Sequence, residues 1–136
     1  MIKKNKMVTI LILLAFISVL TVGCTSSKFL KYDVKEIIKI ELYSTAELDL
    51  ELNLQITDEE KIAEILNKLN NIAYTRYYGD IKAKSDYTIR VYFDETTYDE
   101  IESYRILKYK GGKIEENLKY SCSVDSFETL YNFALE

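Results

Sequence analysis

Few side chains in this sequence can do covalent or acid–base chemistry, and their types and spacing decide which chemistries are open to it. There is no histidine, which removes the usual general base, the commonest metal ligand and the side chain that changes charge near neutral pH. Two cysteines remain, Cys24 and Cys122. Cys122 could serve as a nucleophile only with a base or cationic neighbour to hold it as thiolate. With no His to form a Cys–His pair, the expectation is a buried strand cysteine. Asp94, Glu95, Asp99, Glu100 and Glu102 crowd one short stretch, and oxygen-rich loops of this kind can hold Ca²⁺. Their spacing is not that of an EF-hand loop and lacks its central Gly, so a solvated hairpin tip is expected at 94–102 in preference to a metal site.

Twelve tyrosines are the other excess. Thr88, Arg90 and Tyr92 fall on the face of their strand opposite the core, with Tyr104 or a neighbour beside them. An aromatic platform for glycan or peptide is one reading of that face. Cross-strand tyrosines that stabilise an exposed sheet are the preferred one. Paired carboxylates for glycoside hydrolysis cannot be singled out among 22 acidic residues without geometry. No catalytic residue is therefore assigned; the chain is expected not to be an enzyme and to need no cofactor or metal.

The elements that position these residues fit one domain. Removing residues 1–23 from the 136 leaves 113, enough for one packed core. Lys3, Lys4 and Lys6 lie in that N-terminal stretch, so the remainder carries 15 basic against 22 acidic groups, net −7. This balance argues against a nucleic-acid surface, which needs clustered Lys and Arg to replace phosphate counterions. It also disfavours broad electrostatic adhesion to anionic lipid.

Residues Met1–Lys6 are basic, and Met7–Leu20 is an uncharged apolar run of 14, shorter than the roughly 20 residues of a comfortable membrane-spanning helix. The pattern reads as an export signal, with the lysines left on the cytoplasmic side. It is followed by Leu20-Thr21-Val22-Gly23-Cys24 and the small polar run Thr25-Ser26-Ser27. The segment resembles a bacterial lipoprotein signal, whose lipobox ends in Gly or Ala and a Cys, with Thr21 standing where Leu is favoured. The resemblance implies cleavage between Gly23 and Cys24, diacylglycerol on the Cys24 thiol, and attachment to the extracytoplasmic face of the cell membrane. Two acyl chains bury enough methylenes, at about 0.8 kcal/mol each, for stable anchoring. Composition and layout also resemble small lipoproteins of unknown function from low-GC Gram-positive bacteria. An uncleaved membrane helix over 7–22 is the alternative. Beyond the signal, residues 24–32 are expected to form the lipidated Cys and a tether of at most ~30 Å, and 33–136 the domain.

Within the domain, Val34–Tyr43 places Ile38, Ile40 and Leu42 on one face. Glu47–Ile56 alternates without fault, predicting a half-buried strand with Leu48, Leu50, Leu52, Leu54 and Ile56 inward. Thr57 and Glu60 have the form of a capping box, opening a helix with the stripe Ile62, Ile65, Leu66, Leu69 and a stop at Asn70-Asn71. Strands follow at 72–77, 87–93, 101–109 and 114–123, with 94–100 a charged turn and Lys110-Gly111-Gly112-Lys113 a tight hairpin turn. Asp125 caps a last helix bearing Phe127, Leu130, Tyr131 and Ala134. The order β-β-α-β-β-β-β-α predicts an α+β fold, an antiparallel sheet of about six strands with two helices on one face. It is similar to TATA-binding-protein-like and cystatin-like folds, an analogy that carries no function. The expected role is non-catalytic binding of an envelope protein or ligand. The alternatives are an immunity or inhibitor role against a secreted toxin or hydrolase, and a small carboxylate-dependent hydrolase.

Overall fold

The structure, a computed structural model, describes residues 27–46, 49–80 and 86–136. The expectations for Gly23 and Cys24, the signal segment and Leu48 lie outside the described residues. The strands are β1 (Ser27–Lys28), β2 (Lys39–Ala46), β3 (Asp49–Ile56), β4 (Ala73–Arg76), β5 (Tyr87–Tyr92), β6 (Tyr98–Ile101), β7 (Ile106–Lys110), β8 (Lys113–Leu118) and β9 (Tyr120–Ser121). The helices are α1 (Glu59–Asn70) and α2 (Val124–Leu135). Six strands form an antiparallel sheet in the order β3-β2-β5-β6-β7-β8, and β1-β4-β9 form a separate three-stranded sheet. The α+β architecture and its element order are as the sequence predicts.

Both helices bury the stripes read from their periodicity. Ile62, Ile65, Leu66 and Leu69 of α1 and Phe127, Leu130, Tyr131 and Ala134 of α2 join one core with Ile40, Leu42, Ile89, Val91, Ile101 and Ile106 from the sheet. Their caps differ from the expected ones. Asp58, not Thr57, accepts the Lys61 amide at 2.9 Å, and Ser123, not Asp125, accepts the Ser126 amide at 3.3 Å. In both helices a nearby oxygen takes the orphan first-turn donor.

Three segments depart from the expected layout. Val34–Glu36 is a 3-10 turn capped by Asp33, so the first strand begins only at Lys39 and Ile38 is exposed. The acidic stretch is not a single turn: Tyr98–Ile101 is a strand, and Glu102–Arg105 closes a hairpin through Glu102 N donating to Arg105 O at 3.0 Å. The expected third strand leaves the main sheet altogether, since β4 pairs with β1 and β9.

The expected tether is also largely docked. Ser27 and Lys28 pair with Tyr74 and Ala73, Phe29 stacks on Tyr120 at 4.3 Å and Leu30 is buried. The Tyr32 amide donates to Asn70 Oδ1 and its hydroxyl to Asp99 Oδ2. Residues 27–32, expected as tether, are therefore packed against the domain.

The largest correction concerns β3. Leu50, Leu52 and Leu54 are 40, 48 and 36% exposed, and Ile56 is the buried member of the strand. The register explains the outward turn of Leu50 and Leu52, whereas Leu54 keeps the side of Leu42 and is exposed at the sheet edge. Leu42, in the core, pairs with Leu54, but its neighbour Tyr43 pairs with Leu52, so Asn53 is an extra residue. β2 pairs regularly with β5 over the same stretch, which puts the bulge on β3. One inserted residue reverses every side chain beyond it. Leu52 and Leu50 thus share the face of Tyr43, away from the helices. Asn53 turns inward, where its Nδ2 donates to Tyr131 Oη at 2.7 Å and Ser44 Oγ at 2.8 Å.

Candidate functional site

The sheet face opposite the helices follows from strand parity. Ile40, Leu42, Ile89, Val91, Ile101 and Ile106 point into the core. The alternate residues Lys39, Glu41 and Tyr43 of β2, Thr88, Arg90 and Tyr92 of β5, Tyr98 and Glu100 of β6, and Tyr109 of β7 point outward. The pairs Glu41 with Arg90, Arg90 with Glu100, Tyr92 with Tyr98 and Tyr98 with Tyr109 then lie side by side.

These side chains form an interlocked polar and aromatic layer. Tyr98 and Tyr109 stack at 4.5 Å and 13°, and Tyr92 tilts against Tyr98 at 4.7 Å. Lys39 Nζ stands 4.4 Å over the Tyr92 ring, and the Arg90 guanidinium lies 4.5 Å from Tyr43 and 5.0 Å from Tyr98. Ring faces are thus occupied by neighbouring rings and cations. A planar ligand stacking on this face meets ring edges and hydroxyls instead, which argues against the glycan platform and for the cross-strand stabilising role.

The carboxylates on the same face are buried and each has its own donors. Glu41 Oε2 accepts from the Tyr43 and Tyr92 hydroxyls, the latter at 2.7 Å, and Lys39 lies 3.4 Å from Oε1. Burial pushes the Glu41 pKa up, but the two phenol donors and the Lys39 charge outweigh it and hold the carboxyl below its usual value. Glu100 Oε2 accepts from Arg90 Nε at 2.8 Å. Glu102 accepts from Arg105 at 2.7 and 3.3 Å and from Thr88 Oγ1 at 3.4 Å.

The remaining sequence candidates separate in space. Asp94 is spent on its own turn, its Oδ1 accepting from the Thr96 and Thr97 amides, and Glu95 reaches Lys39. Asp99 points toward the helix side, where burial raises its pKa against the lowering effects of the Tyr32 hydrogen bond and Lys108. Neighbours in sequence therefore lie on alternate faces of β6. Among the described residues no group of three or more acidic or Cys side chains is placed to hold a metal ion.

Cys122 follows β9, half-buried and free. It lines an open cleft of about 540 Å³ with Ser121, Ser123 and Ser126. Burial raises its thiol pKa, only partly offset by a hydrogen bond to Tyr74, so the thiol stays protonated rather than nucleophilic. Tyr104 belongs to the β6–β7 turn, its carbonyl accepting from the Tyr77 hydroxyl at 2.7 Å.

Thr88, Arg90 and Tyr92 lie on the outward face as the sequence predicts, whereas Tyr43, Tyr98 and Tyr109, and with them the outward turn of Leu50 and Leu52, are not foreseen from it. The parity of Tyr98 against Ile101 was the available signal for Tyr98. No residue type marks the bulge at Asn53.

The face that results has a stabilised aromatic centre between β2 and β7 and an apolar margin, Leu50 and Leu52, along the sheet edge. In comparison with known proteins, no family model matches this chain, and no characterised protein or solved structure shows significant similarity to it.

Proposed function

We propose that this chain is an extracytoplasmic envelope lipoprotein, held to the cell membrane by diacylglycerol on Cys24 after cleavage behind Gly23, and that its domain is a non-catalytic binding module for another envelope protein. The observation that carries the binding role is the bulge at Asn53, which turns Leu50 and Leu52 outward along an edge strand. An edge strand with exposed alternate leucines suits addition of a partner strand: the backbone supplies hydrogen bonds and the side chains supply selectivity. Glu41, Glu100 and Glu102 are each engaged by their own cations or hydroxyls, which favours binding over a carboxylate-dependent hydrolase. Asp49 and Glu51 on the same strand are exposed, a feature that favours a basic target such as a secreted toxin or hydrolase.

Two measurements test this reading. In Cys24→Ala, metabolic labelling with a fatty acid is lost; label that persists without the thiol refutes the anchor. A photo-crosslinking amino acid at position 52 of the membrane-anchored protein, in its own cells, captures a discrete partner. The same probe at Glu115, on the opposite edge, does not. Indistinguishable adducts at the two positions would sink the binding role of β3.

A further inference from the structure

The docked N-terminus limits where a lipid on Cys24 can lie. Ser27 is already paired with Tyr74, and three residue steps span at most ~10 Å whatever their path. A bilayer holding the Cys24 acyl chains therefore abuts the small sheet. Arg76 lies two residues along β4 from the partner of Ser27, about 7 Å away. Because the pairing is antiparallel, it lies on the side from which the N-terminal chain arrives.

The surface at that end combines exposed basic and phenolic side chains around one cleft. Arg76, Tyr77, Tyr78, Lys119 and Tyr120 line a cleft of about 350 Å³. Tyr78 is 84% exposed, its ring 5.3 Å from the Arg76 guanidinium. Lys119 donates to Gly79 O at 3.0 Å and is 3.9 Å from Asp80, itself almost fully exposed. Exposed acids stand on β3 and α1 as Asp49, Glu51, Glu59, Glu60 and Glu64 and on β8 as Glu115 and Glu116, with Asp80 the exposed acid beside Lys119. Lys61 and Lys68, on α1, lie over the Phe133 ring. A chain of net acidic charge thus presents exposed cations and an exposed phenol within reach of its own anchor. Tyrosine settles at headgroup depth, and each Lys or Arg near an anionic leaflet adds about fivefold to contact.

We propose that Arg76, Tyr78, Lys119 and Tyr120 form a bilayer-contacting surface that binds anionic phospholipid headgroups and sets the orientation of the domain over the membrane. The proposal rests on the lipid-anchor reading, and the test separates the two. The chain has no tryptophan, so Tyr78→Trp and Leu52→Trp each supply the sole tryptophan, excited apart from the tyrosines, at an exposed site. The lipidated protein, purified from the membranes of expressing cells, is placed in vesicles of phosphatidylcholine and phosphatidylglycerol with brominated acyl chains.

Tyr78→Trp emission is then quenched and Leu52→Trp emission is not. Adding Arg76→Glu and Lys119→Glu to the Tyr78→Trp protein restores its emission, by about fivefold in the contact equilibrium for each basic group removed. Equal emission from the two reporters in protein whose N-terminal peptide carries diacylglycerol overturns the surface and leaves the anchor standing. Quenching that survives both charge reversals overturns the headgroup part. An unmodified Cys24 overturns the anchor and the proposal together.

Discussion

Replacing Glu41 by Gln tests whether the outward sheet face is held by a buried charge or merely by shape. The carboxylate side chain is 8% exposed and takes two phenol hydrogen bonds on Oε2, with Lys39 Nζ 3.4 Å from Oε1. Gln keeps the volume and can place its carbonyl where Oε2 stood. Hydrogen bonds to a charged acceptor contribute about 1.5–3 kcal/mol each against about 0.5–1.5 for neutral ones, so two of them lose roughly 2 kcal/mol together. The Gln amide would also turn a donor toward Lys39, which retains Glu95 at 3.1 Å. For a domain of this size roughly 2 kcal/mol lowers Tm by about 6–10 °C. The sign with pH is fixed by the Glu41 carboxyl, whose folded pKa is depressed below the usual 4.5. Its stabilising contribution is complete above the unfolded value and is lost as pH falls through the folded one. Urea unfolding followed by circular dichroism should therefore show the full gap between wild type and Glu41→Gln at pH 7, closing under acid conditions. A gap below about 0.5 kcal/mol at neutral pH, or one unchanged across the carboxylate range, would refute the charge-held network.

Asp99→Asn should act the other way. Burial raises the folded pKa of Asp99 above the usual 3.8, so ionisation costs stability at neutral pH. Asn can still accept from the Tyr32 hydroxyl, and the variant should melt higher than wild type at pH 7, with the difference vanishing below the ordinary carboxylate range. A lower Tm at pH 7 would show that Lys108 needs the charge more than burial opposes it. In the β7–β8 turn, Gly111 and Gly112 sit at φ +60° and +75°, and a Cβ at Gly111 would meet nothing within 4 Å. Gly111→Ala should therefore cost only the backbone penalty, about 1–2 kcal/mol, read as a lower urea midpoint with unchanged m. Gly111→Asn should recover most of it. Equal losses for Ala and Asn would mean the turn is held by something other than φ.

What could be read from the sequence divides according to where each residue's partner lies. The stripes of α1 and α2 were legible because a helix shows its buried face through its own spacing, and Leu66 or Leu130 needs no knowledge of the sheet to be placed inward. The Gly111-Gly112 turn was legible for the same reason. Asp99 and Glu100 belong to a charged run that reads as a turn from the sequence alone, yet they sit in β6, paired with Tyr32, 67 residues away, and Arg90, 10 residues away. The leucines of β3 obey perfect alternation in the sequence, and the alternation holds locally on either side of Asn53. The bulge lies in the register between two strands, which no single-strand pattern contains. The tyrosine layer likewise needed the order β2-β5-β6-β7, through which Tyr43, Tyr92, Tyr98 and Tyr109 become neighbours.

The two edges of the sheet are protected differently, and the difference bears on what β3 can admit. On β8, Lys113, Glu115 and Glu116 are exposed and the register is broken between Lys108 and Tyr109, devices that discourage strand pairing. On β3 the bulge leaves the acids on one side and the leucines on the other. Glu51 pairs with Ser44, on the helix side of β2, and Asp49 shares its parity, whereas Leu52 and Leu50 pair with Tyr43 and Thr45, on the tyrosine side. On the proposed binding role, such an edge suits a strand that is apolar on the tyrosine side and basic on the helix side, and disfavours a second copy of β3 in registers that set Asp49 against Glu51. The β3 and β8 edges are five strand spacings apart, about 24 Å of sheet. The small sheet continues from the β8 side through β9. On the proposed anchoring, the bilayer holds the end beside Ser27 and the leucine edge stays clear of it, which is why position 52 serves both as the site for partner capture and as the membrane-distant reference.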